Sequence, residues 1–173
     1  MIWFTADTHF GHTSILKHCP KRQEIFNDLH TMNKALIAGI NATVDRNDIL
    51  YHLGDFCWQA SRAGHYRQRI NCRKIHIIQG NHDSSSLRKH VSSMNHMLFL
   101  KKYKMHLCHY PFESWQWFHY GGIHLHGHCH GRMRKIENRI DVGVDAIYDL
   151  IGEWRPINLE EILLLTVKRI KIQ

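Results

Sequence analysis

Seven side chains of the types that bind metal ions lie in five short blocks, and four of these blocks follow a stretch that is typical of a β-strand. The blocks are Asp7-Thr8-His9, Gly54-Asp55, Gly80-Asn81-His82-Asp83, His109 and Gly127-His128-Cys129-His130. Carboxylate, amide and imidazole donors at successive strand ends suit hard or borderline divalent ions. The arrangement predicts a fold whose strand ends converge on a site for two metal ions. Such a site indicates hydrolysis, with a phosphate ester as the favoured substrate.

Length and composition favour one globular domain. The 173 residues are enough for a single sizeable core, so we expect one domain over residues 1–173. No apolar run approaches the ~18 residues of a membrane span, and the N-terminus lacks the regions of a signal peptide. The five cysteines form no C-x-x-C pair, which argues against a disulfide framework or a four-cysteine zinc site. We therefore expect a cytoplasmic protein without membrane association.

The chain is basic, with 23 Lys and Arg against 15 Asp and Glu and a formal net charge of +8. This charge favours anionic partners such as nucleotides or nucleic acid. The alternative is a basic surface that only keeps the protein soluble. The 17 histidines exceed ordinary usage, but several lie outside the five blocks, so their number alone indicates no function.

The hydrophobic pattern predicts an α/β sandwich, with helices between the strands of the first half and more strands in the second. The predicted strands are 1–6, 49–53, 74–79, 98–103, 104–108, 123–126, 139–144 and 162–168. The predicted helices are 32–44, 60–72 and 84–93, the first of them capped by Asp28 or Thr31.

Single blocks are weak or moderate signals, but their ordered combination is specific. In Asp7-Thr8-His9 the two donors are two positions apart, so on an extended chain they point the same way. Asn81 beside His82 is an unusual pairing of amide and imidazole. The block Gly127–Gly131 encloses two histidines between glycines, which free the backbone to turn both imidazoles towards neighbouring ions.

This set resembles the calcineurin-like metallophosphoesterase superfamily, whose pattern runs D-x-H, G-D, G-N-H-[DE], H and G-H-x-H. The matches span residues 7–130. The resemblance implies a four-layer α-β-β-α sandwich of two mixed β-sheets flanked by helices. It also implies a division of the donors between two ions. One ion would be held by Asp7, His9, Asp55 and His130. The other would be held by Asp55, Asn81, His109 and His128.

In this scheme Asp55 bridges the two ions. Two cations about 3.5–4 Å apart repel each other, and a shared carboxylate and a shared hydroxide reduce that repulsion. The bridging hydroxide is a nucleophile available near neutral pH. The donor set favours two divalent transition-metal ions per chain, Mn²⁺ first, with Fe²⁺, Ni²⁺, Co²⁺ or Zn²⁺ as alternatives.

Four further residues are candidates for roles beside the ions. The resemblance implies that His82 faces the substrate as a catalytic residue, where it stabilises phosphoryl charge and protonates the leaving oxygen. It also suggests that Asp83 orients the His82 imidazole. His12 either contacts substrate phosphate or lies at the start of a helix over 13–18. Arg132 either meets phosphate or belongs to a solvated face.

Aromatic residues near the blocks leave two alternatives open. Many relatives carry an acidic residue or glycine three places after the Gly-Asp block, where this chain has Trp58, a candidate to close one side of the pocket. The segment Phe112–Tyr120 carries five aromatic residues. These rings either stack on bases or pack on the core or a second subunit.

Four functions compete on this pattern. A phosphodiesterase acting on cyclic nucleotides, nucleotides or nucleic-acid ends is favoured by the positive charge and by the short spacing from His109 to His128, which leaves no room for a capping domain. A phosphomonoesterase, including a protein phosphatase, is the alternative. A non-catalytic scaffold is disfavoured because His82 accompanies all seven donors. A metal-storage protein is disfavoured because the histidines form no tracts. The pattern leaves the oligomeric state open.

Overall fold

The structure, a computed structural model, describes residues 1–170, with only the backbone for residues 167–170. The strands are β1 (Ile2–Thr5), β2 (Ile49–His52), β3 (Lys74–Ile78), β4 (Ser93–Asn95), β5 (Met97–Leu100), β6 (Met105–Cys108), β7 (Ile123–His126), β8 (Arg139–Asp141) and β9 (Ile157–Asn158). The α-helices are α1 (Ile15–His18), α2 (Pro20–Ile25), α3 (Leu29–Thr43), α4 (Ala63–Gln68), α5 (Val144–Ile151) and α6 (Leu159–Ile170).

The strands form two mixed sheets. The first has the order β4-β3-β2-β1-β9 and the second the order β5-β6-β7-β8. In the first sheet β1 to β4 are parallel and β9 is antiparallel; in the second, β6, β7 and β8 are parallel and β5 is antiparallel. The predicted class, two mixed sheets flanked by helices, is confirmed. Since parallel strands end at the same edge, the loops after β1, β2 and β3 start side by side, as do those after β6 and β7.

Alternation along the strands divides the apolar residues between two cores. Trp3 and Leu50 face outward and pack with α3, whose buried positions include Leu36. Phe4 and Leu107, from different sheets, lie in the core that also holds residues of α5 and α6. Burying a side chain of this size contributes about 1.5–3 kcal/mol. The two sheets therefore share one apolar layer, and this layer sets the distance between their strand ends.

Several predicted elements are confirmed with shifted bounds. Helix α3 begins at Leu29, and Asp28 caps it by accepting a hydrogen bond from the Thr31 N–H at 2.7 Å. The predicted helix 60–72 is a 3-10 turn at Ala60–Arg62 followed by the shorter α4. The predicted helix 84–93 is a 3-10 helix, Ser85–His90, and the predicted strand 98–103 ends in another 3-10 turn, Lys101–Tyr103.

In the last third of the chain one predicted strand is wrong and one helix is missing from the prediction. The strand predicted over 162–168 is wrong, because this segment lies in α6, which starts at Leu159. A short apolar run fits either element, and here Ile162 and Thr166, four residues apart, form one buried helical face. Helix α5 was not predicted, because its apolar residues follow the strand β8 after only Val142 and Gly143.

The aromatic segment Phe112–Tyr120 packs mainly on the second sheet. The rings of Phe112 and Trp115 lie 4.7 and 5.3 Å from that of His124 in β7. Trp115 Nε1 donates a hydrogen bond to the Gly122 carbonyl at 3.0 Å. These contacts support the packing interpretation for this half of the segment. Within residues 1–170 no helix is long and apolar enough to cross a bilayer.

Candidate metal centre

The loops that follow β1 and β2 run side by side and carry three of the predicted donors. Asp7 N–H donates to the Gly54 carbonyl and His9 N–H to the Asp55 carbonyl, each at 2.9 Å. Two further backbone bonds, one in each direction between the loops, continue the ladder. The parallel pairing of β1 and β2 thus extends beyond the strands. It places the side chains of Asp7, His9 and Asp55 at one sheet edge.

Five of the seven predicted donors have left-handed backbone conformations. Their φ angles are 58° for Asp7, 48° for His9, 56° for Asp55, 70° for His128 and 49° for His130. Strand alternation was the predicted reason for Asp7 and His9 to point the same way. Both residues instead have positive φ angles, and these set the directions of their side chains. Such residues cost of order 1–3 kcal/mol each in unfavourable cases and cluster at functional sites. The concentration of these conformations on the donors indicates a site with imposed geometry.

The structure brings all seven predicted donors together from both sheets. Ligand atoms lie within 4.8 Å of one another in two groups, the first formed by Asp7, His9 and His130, the second by Asp55, His109 and His128. The seventh donor joins the second group: Asn81 Oδ1 lies 3.1 Å from His109 Nε2 and 3.1 Å from His128 Nδ1. The first group contains three of the four donors predicted for one ion, and the second group together with Asn81 contains the four predicted for the other.

Asp55 lies between the two groups. Its Oδ1 accepts a hydrogen bond from the His82 backbone N–H at 2.9 Å. Its Oδ2 lies 3.5 Å from His9 Nε2 and 3.5 Å from His109 Nε2. Burial opposes ionisation of Asp55, but the hydrogen bond to His109 and the charges nearby outweigh it and lower its pKa. Asp55 is therefore an anion with one oxygen held and the other shared between two imidazoles.

Two buried groups of the first set fit a cation. His9 Nε2 is buried and, among the described residues, has no hydrogen-bond partner. Burial lowers the pKa of His9 to about 2, so its imidazole is neutral and keeps a free lone pair. Burial also raises the pKa of Asp7 to about 7, and a positive charge beside a buried carboxylate favours its ionised form. The neutral imidazole of His9 is thus in the form that binds a metal ion, and a bound cation would stabilise the ionised form of Asp7.

Two imidazoles of the site are oriented through their Nδ1 atoms. His109 Nδ1 donates to the Leu53 carbonyl at 2.7 Å. His130 Nδ1 donates to Asp145 Oδ2 at 2.7 Å. Burial disfavours the charged form of His130, but the Asp145 contact prevails and raises its pKa to about 10. In both rings the bond occupies Nδ1, so Nε2 is the nitrogen that would bind an ion, as is usual for metal-binding histidines. A bound cation would displace the second proton of the His130 ring.

Arg22 and Asp145 do not belong to the predicted site, yet they hold it together. Arg22 is fully buried, and its Nε and Nη2 donate to the two Asp145 oxygens at 2.8 and 2.6 Å. Nη2 also donates to the Asp7 carbonyl at 2.7 Å. Asp145 follows a strand-like stretch, the signal that identified the other blocks. Nothing in the sequence around Arg22 distinguishes it from its neighbour Lys21.

Asp83 has a different role from the one predicted. Its carboxylate accepts hydrogen bonds from the backbone N–H groups of Asp55, Phe56 and Gly80 at 2.8–2.9 Å. The described contacts of this carboxylate are with backbone and include none with the His82 imidazole. Asp83 thus ties the loop after β3 to the loop after β2, because a carboxylate near several unpaired N–H groups is a strong acceptor.

Glycines allow these loops to approach each other. A Cβ at Gly54, where φ is +94°, would lie 2.5 Å from His109 Nδ1 and 2.7 Å from Gly80 N. A Cβ at Gly80 would lie 2.5 Å from Asp55 N. Real Cβ atoms do not come so close to other atoms, so the glycines of the Gly-Asp and Gly-Asn blocks are required by packing.

The remaining predicted residues lie around the donors. The ring of half-buried His82 is 5.5 Å from that of His9 and 6.1 Å from that of His12. His12 Nδ1 lies 3.4 Å from His9 Nδ1, so His12 adjoins the first set. Arg132 is exposed, and its guanidinium donates to the His18 carbonyl. The structure therefore places His12 and His82 at the site and Arg132 at its periphery.

This fold and site define a class of protein, and comparisons agree with it. The sequence profile of the calcineurin-like phosphoesterases matches residues 1–164, and the chain belongs to that family. Membership implies metal-dependent hydrolysis of phosphate esters with divalent metal ions. The chain is 30% identical to the uncharacterized protein MJ1445 of Methanocaldococcus jannaschii, over 96% of this chain and 92% of that one.

A solved structure supports the fold. The crystal structure of AQ665 from Aquifex aeolicus, a protein of unknown function, has a TM-score of 0.70 and 22% sequence identity to this chain. The match covers 95% of this chain and 98% of that one. At this identity the likeness extends to the fold alone.

Proposed function

We propose that this protein is a phosphodiesterase with a dinuclear metal centre, most readily supplied with Mn²⁺. The substrate is a nucleotide, a cyclic nucleotide or a nucleic-acid end. The observation that carries the proposal is the position of Asp55, whose Oδ2 lies 3.5 Å from imidazole nitrogens of both donor groups. A carboxylate shared in this way is what a pair of adjacent cations requires.

The proposed ligands follow the two groups in space. One ion would be held by Asp7, His9, Asp55 and His130. The other would be held by Asp55, Asn81, His109 and His128. When bound, the ions would supply the nucleophile by lowering the pKa of a water molecule, and would neutralise charge on the phosphate.

The protein's own residues bind the phosphate and move the proton. His82 lies beside the first donor group and is not one of the proposed metal ligands. Its imidazole is therefore free to donate to a phosphoryl oxygen and to protonate the leaving oxygen. The ring of His12 lies 5.4 Å from that of His9 and 6.1 Å from that of His82, and His12 is proposed to contact substrate. Arg132 is proposed to attract anionic substrate from the rim of the site, since its guanidinium is exposed.

The preference for diesters rests on charge and access. The chain carries a formal charge of +8 and has only 18 residues between His109 and His128, so no capping domain covers the site there. Asn81 and His128, two of the donors, are exposed. An open site on a basic chain accepts a phosphate with substituents on two oxygens. Phosphomonoester hydrolysis, including protein phosphatase activity, is the second candidate, because the same centre can attack a terminal phosphate.

An assay with Mn²⁺ added tests the proposal. It would compare bis-p-nitrophenyl phosphate with p-nitrophenyl phosphate, and then 2′,3′- and 3′,5′-cyclic nucleotides with single-stranded DNA and RNA. We expect faster turnover of the diester. An Asp55→Ala preparation, purified in parallel, measures any contaminating phosphatase. A clear preference for the monoester would instead establish the second candidate, and no hydrolysis of any ester would refute both.

A further inference from the structure

The exposed indole of Trp58 stacks on His12 and lies beside His82, the proposed catalytic residue. The rings of Trp58 and His12 stack in parallel, with centroids 3.8 Å apart and planes 6° apart. The Trp58 ring also lies 4.7 Å from that of His82. Trp58 nevertheless remains 44% exposed. The stack covers one face of the indole, so a broad apolar surface stays open beside the residues that face the phosphate.

The fold holds Trp58 in this place through backbone contacts. Trp58 N–H donates to the Phe10 carbonyl at 3.0 Å, and Phe10 and Cys57 form a parallel β-bridge. These contacts continue the ladder that positions Asp7 and Asp55. The indole is therefore attached to the same rigid edge as the metal ligands. A ring presented in this way is pre-organised for a planar ligand, since little conformational entropy is lost on binding.

Other exposed aromatic residues differ in position. Tyr110 is also 44% exposed, and its ring packs 4.9 Å from that of His128, on the side of the second donor group. Trp117 is 41% exposed, but its carbonyl accepts from Gly122 N–H just before β7 begins, whereas the ligands follow the other end of that strand. Trp58 alone of these three contacts His82 and His12.

We infer that Trp58 binds the base of a nucleoside phosphate ester by stacking. The inference rests on the proposed function and specifies its substrate class. The ligand must be anionic to suit a chain of charge +8 and a site for divalent cations, and it must carry a planar ring to cover the indole. Nucleotides combine both properties, and base–aromatic stacking tolerates any base because every base has a π-face.

The test is a binding comparison that does not depend on turnover. Titration calorimetry would measure adenosine 5′-monophosphate, ribose 5-phosphate and phenyl phosphate, on the protein as purified and with Mn²⁺ added. Phosphate release is followed in parallel to establish that the ligands stay intact. The first two ligands share ribose and phosphomonoester and differ in the base. The variants are Trp58→Ala, Trp58→Phe and, as a matched control of similar exposure, Trp117→Ala.

We expect the adenosine ester to bind about 5- to 150-fold more tightly than ribose 5-phosphate, the range that stacking of one base provides. Trp58→Ala should bring this ratio close to one, Trp58→Phe should retain part of it, and Trp117→Ala should keep it. An equal affinity of the wild type for the two esters, or a ratio that survives Trp58→Ala, overturns the inference. A gain for phenyl phosphate as large as for the adenosine ester would refute the assignment to a nucleobase.

Failure of the inference can be distinguished from failure of the proposed function. Hydrolysis of diesters without any base preference would refute the role of Trp58 and leave the phosphodiesterase proposal intact. A base preference that depends on Trp58, in a protein that hydrolyses no ester, would support the binding site and refute the activity.

Discussion

Individual residues of the site combine strained backbone with shared side chains. Five donors have positive φ angles, and Asp55 is the donor whose oxygen is equidistant from imidazoles of both groups. Strain of this kind persists only where surrounding contacts impose it. The carboxylate of Asp83 and the ladder between the loops after β1 and β2 provide those contacts. At this scale the roles of Asp55 and His82 are the most open to test.

Asp55→Asn should weaken both metal sites, whereas His9→Ala should weaken mainly one. The amide keeps the shape of Asp55 but removes the negative charge that two cations share. Metal titration followed by calorimetry, with elemental analysis of the saturated protein, should find close to two equivalents in the wild type. Loss of an outer hydrogen-bond partner lowers metal affinity about 10–100-fold. In Asp55→Asn, which loses a ligand charge, both affinities should fall by more than that. A single equivalent in the wild type, or one unaffected site in Asp55→Asn, would contradict the shared-ligand scheme.

His82→Ala should retain both metals and lose most of its turnover. Its imidazole is proposed to face the substrate, and loss of a positioned general acid costs about 10²–10⁴ in rate. The loss should be largest for alkyl esters, whose leaving oxygens need a proton, and smaller for p-nitrophenyl esters. Normal metal content together with nearly wild-type hydrolysis of alkyl esters would show that His82 is not the acid.

Whole elements, and not only loops, position the donors. Helix α2 carries Arg22 and helix α5 carries Asp145, and these two residues form a buried ion pair although 123 positions of the chain separate them. Asp145 also accepts a hydrogen bond from His130. Asp145 is the second residue of α5 and lies in its first turn, two positions after Gly143. Docking of these two helices therefore orients one proposed ligand. Misplacing either helix should affect metal binding as well as stability.

Asp145→Asn should destabilise the protein and weaken metal binding. Removing one partner of a buried pair costs about 3–5 kcal/mol, because Arg22 keeps its charge in an apolar environment. Loss of the hydrogen bond to His130 should also lower metal affinity about 10–100-fold. Urea unfolding and metal titration measure the two effects. Asp149→Asn is the matched control on the same helix: its partner Lys21 is exposed, so we expect little change in either quantity. Equal effects of the two substitutions would remove the special role of Asp145.

The two sheets of the molecule meet at the metal centre. Asp7, Asp55 and Asn81 follow strands of the first sheet, whereas His109 and His128 follow strands of the second. An ion that takes ligands from both sheets binds the native state and not the unfolded chain. We also propose that residues 1–173 unfold as one domain, because the sheets share the core that contains Phe4 and Leu107.

Metal removal should lower the midpoint temperature of a single unfolding transition. Ligand binding to the native state contributes about 4 kcal/mol when free metal is about 1,000 times its dissociation constant. For a chain of this length that corresponds to a shift of roughly 10 °C. Differential scanning calorimetry with Mn²⁺ and with a chelator measures it. The shift should persist in His82→Ala and shrink in Asp55→Asn. A transition that is insensitive to chelation would argue against ligands from both sheets.

The sequence by itself determined the donors and the arrangement that brings them together. Each block follows or adjoins a strand, and the loops after parallel strands start at a common edge, so Asp7, Asp55 and Asn81 had to be neighbours once those strands paired. The glycines of the blocks were likewise visible in the sequence, because close approach of two loops leaves no space for a Cβ. Local pattern and strand geometry suffice for this part of the site.

Only the tertiary structure decided which residues support the donors. Arg22 and Asp145 are far apart in the chain and acquire their role when α2 and α5 dock, and the place of Trp58 against His12 depends on how two loops pair. The segment 159–170 is a helix, and its Ile162 packs in the core between the sheets. By sequence alone its short apolar run suits a strand equally well. Contacts between distant segments depend on packing, which a local pattern does not encode.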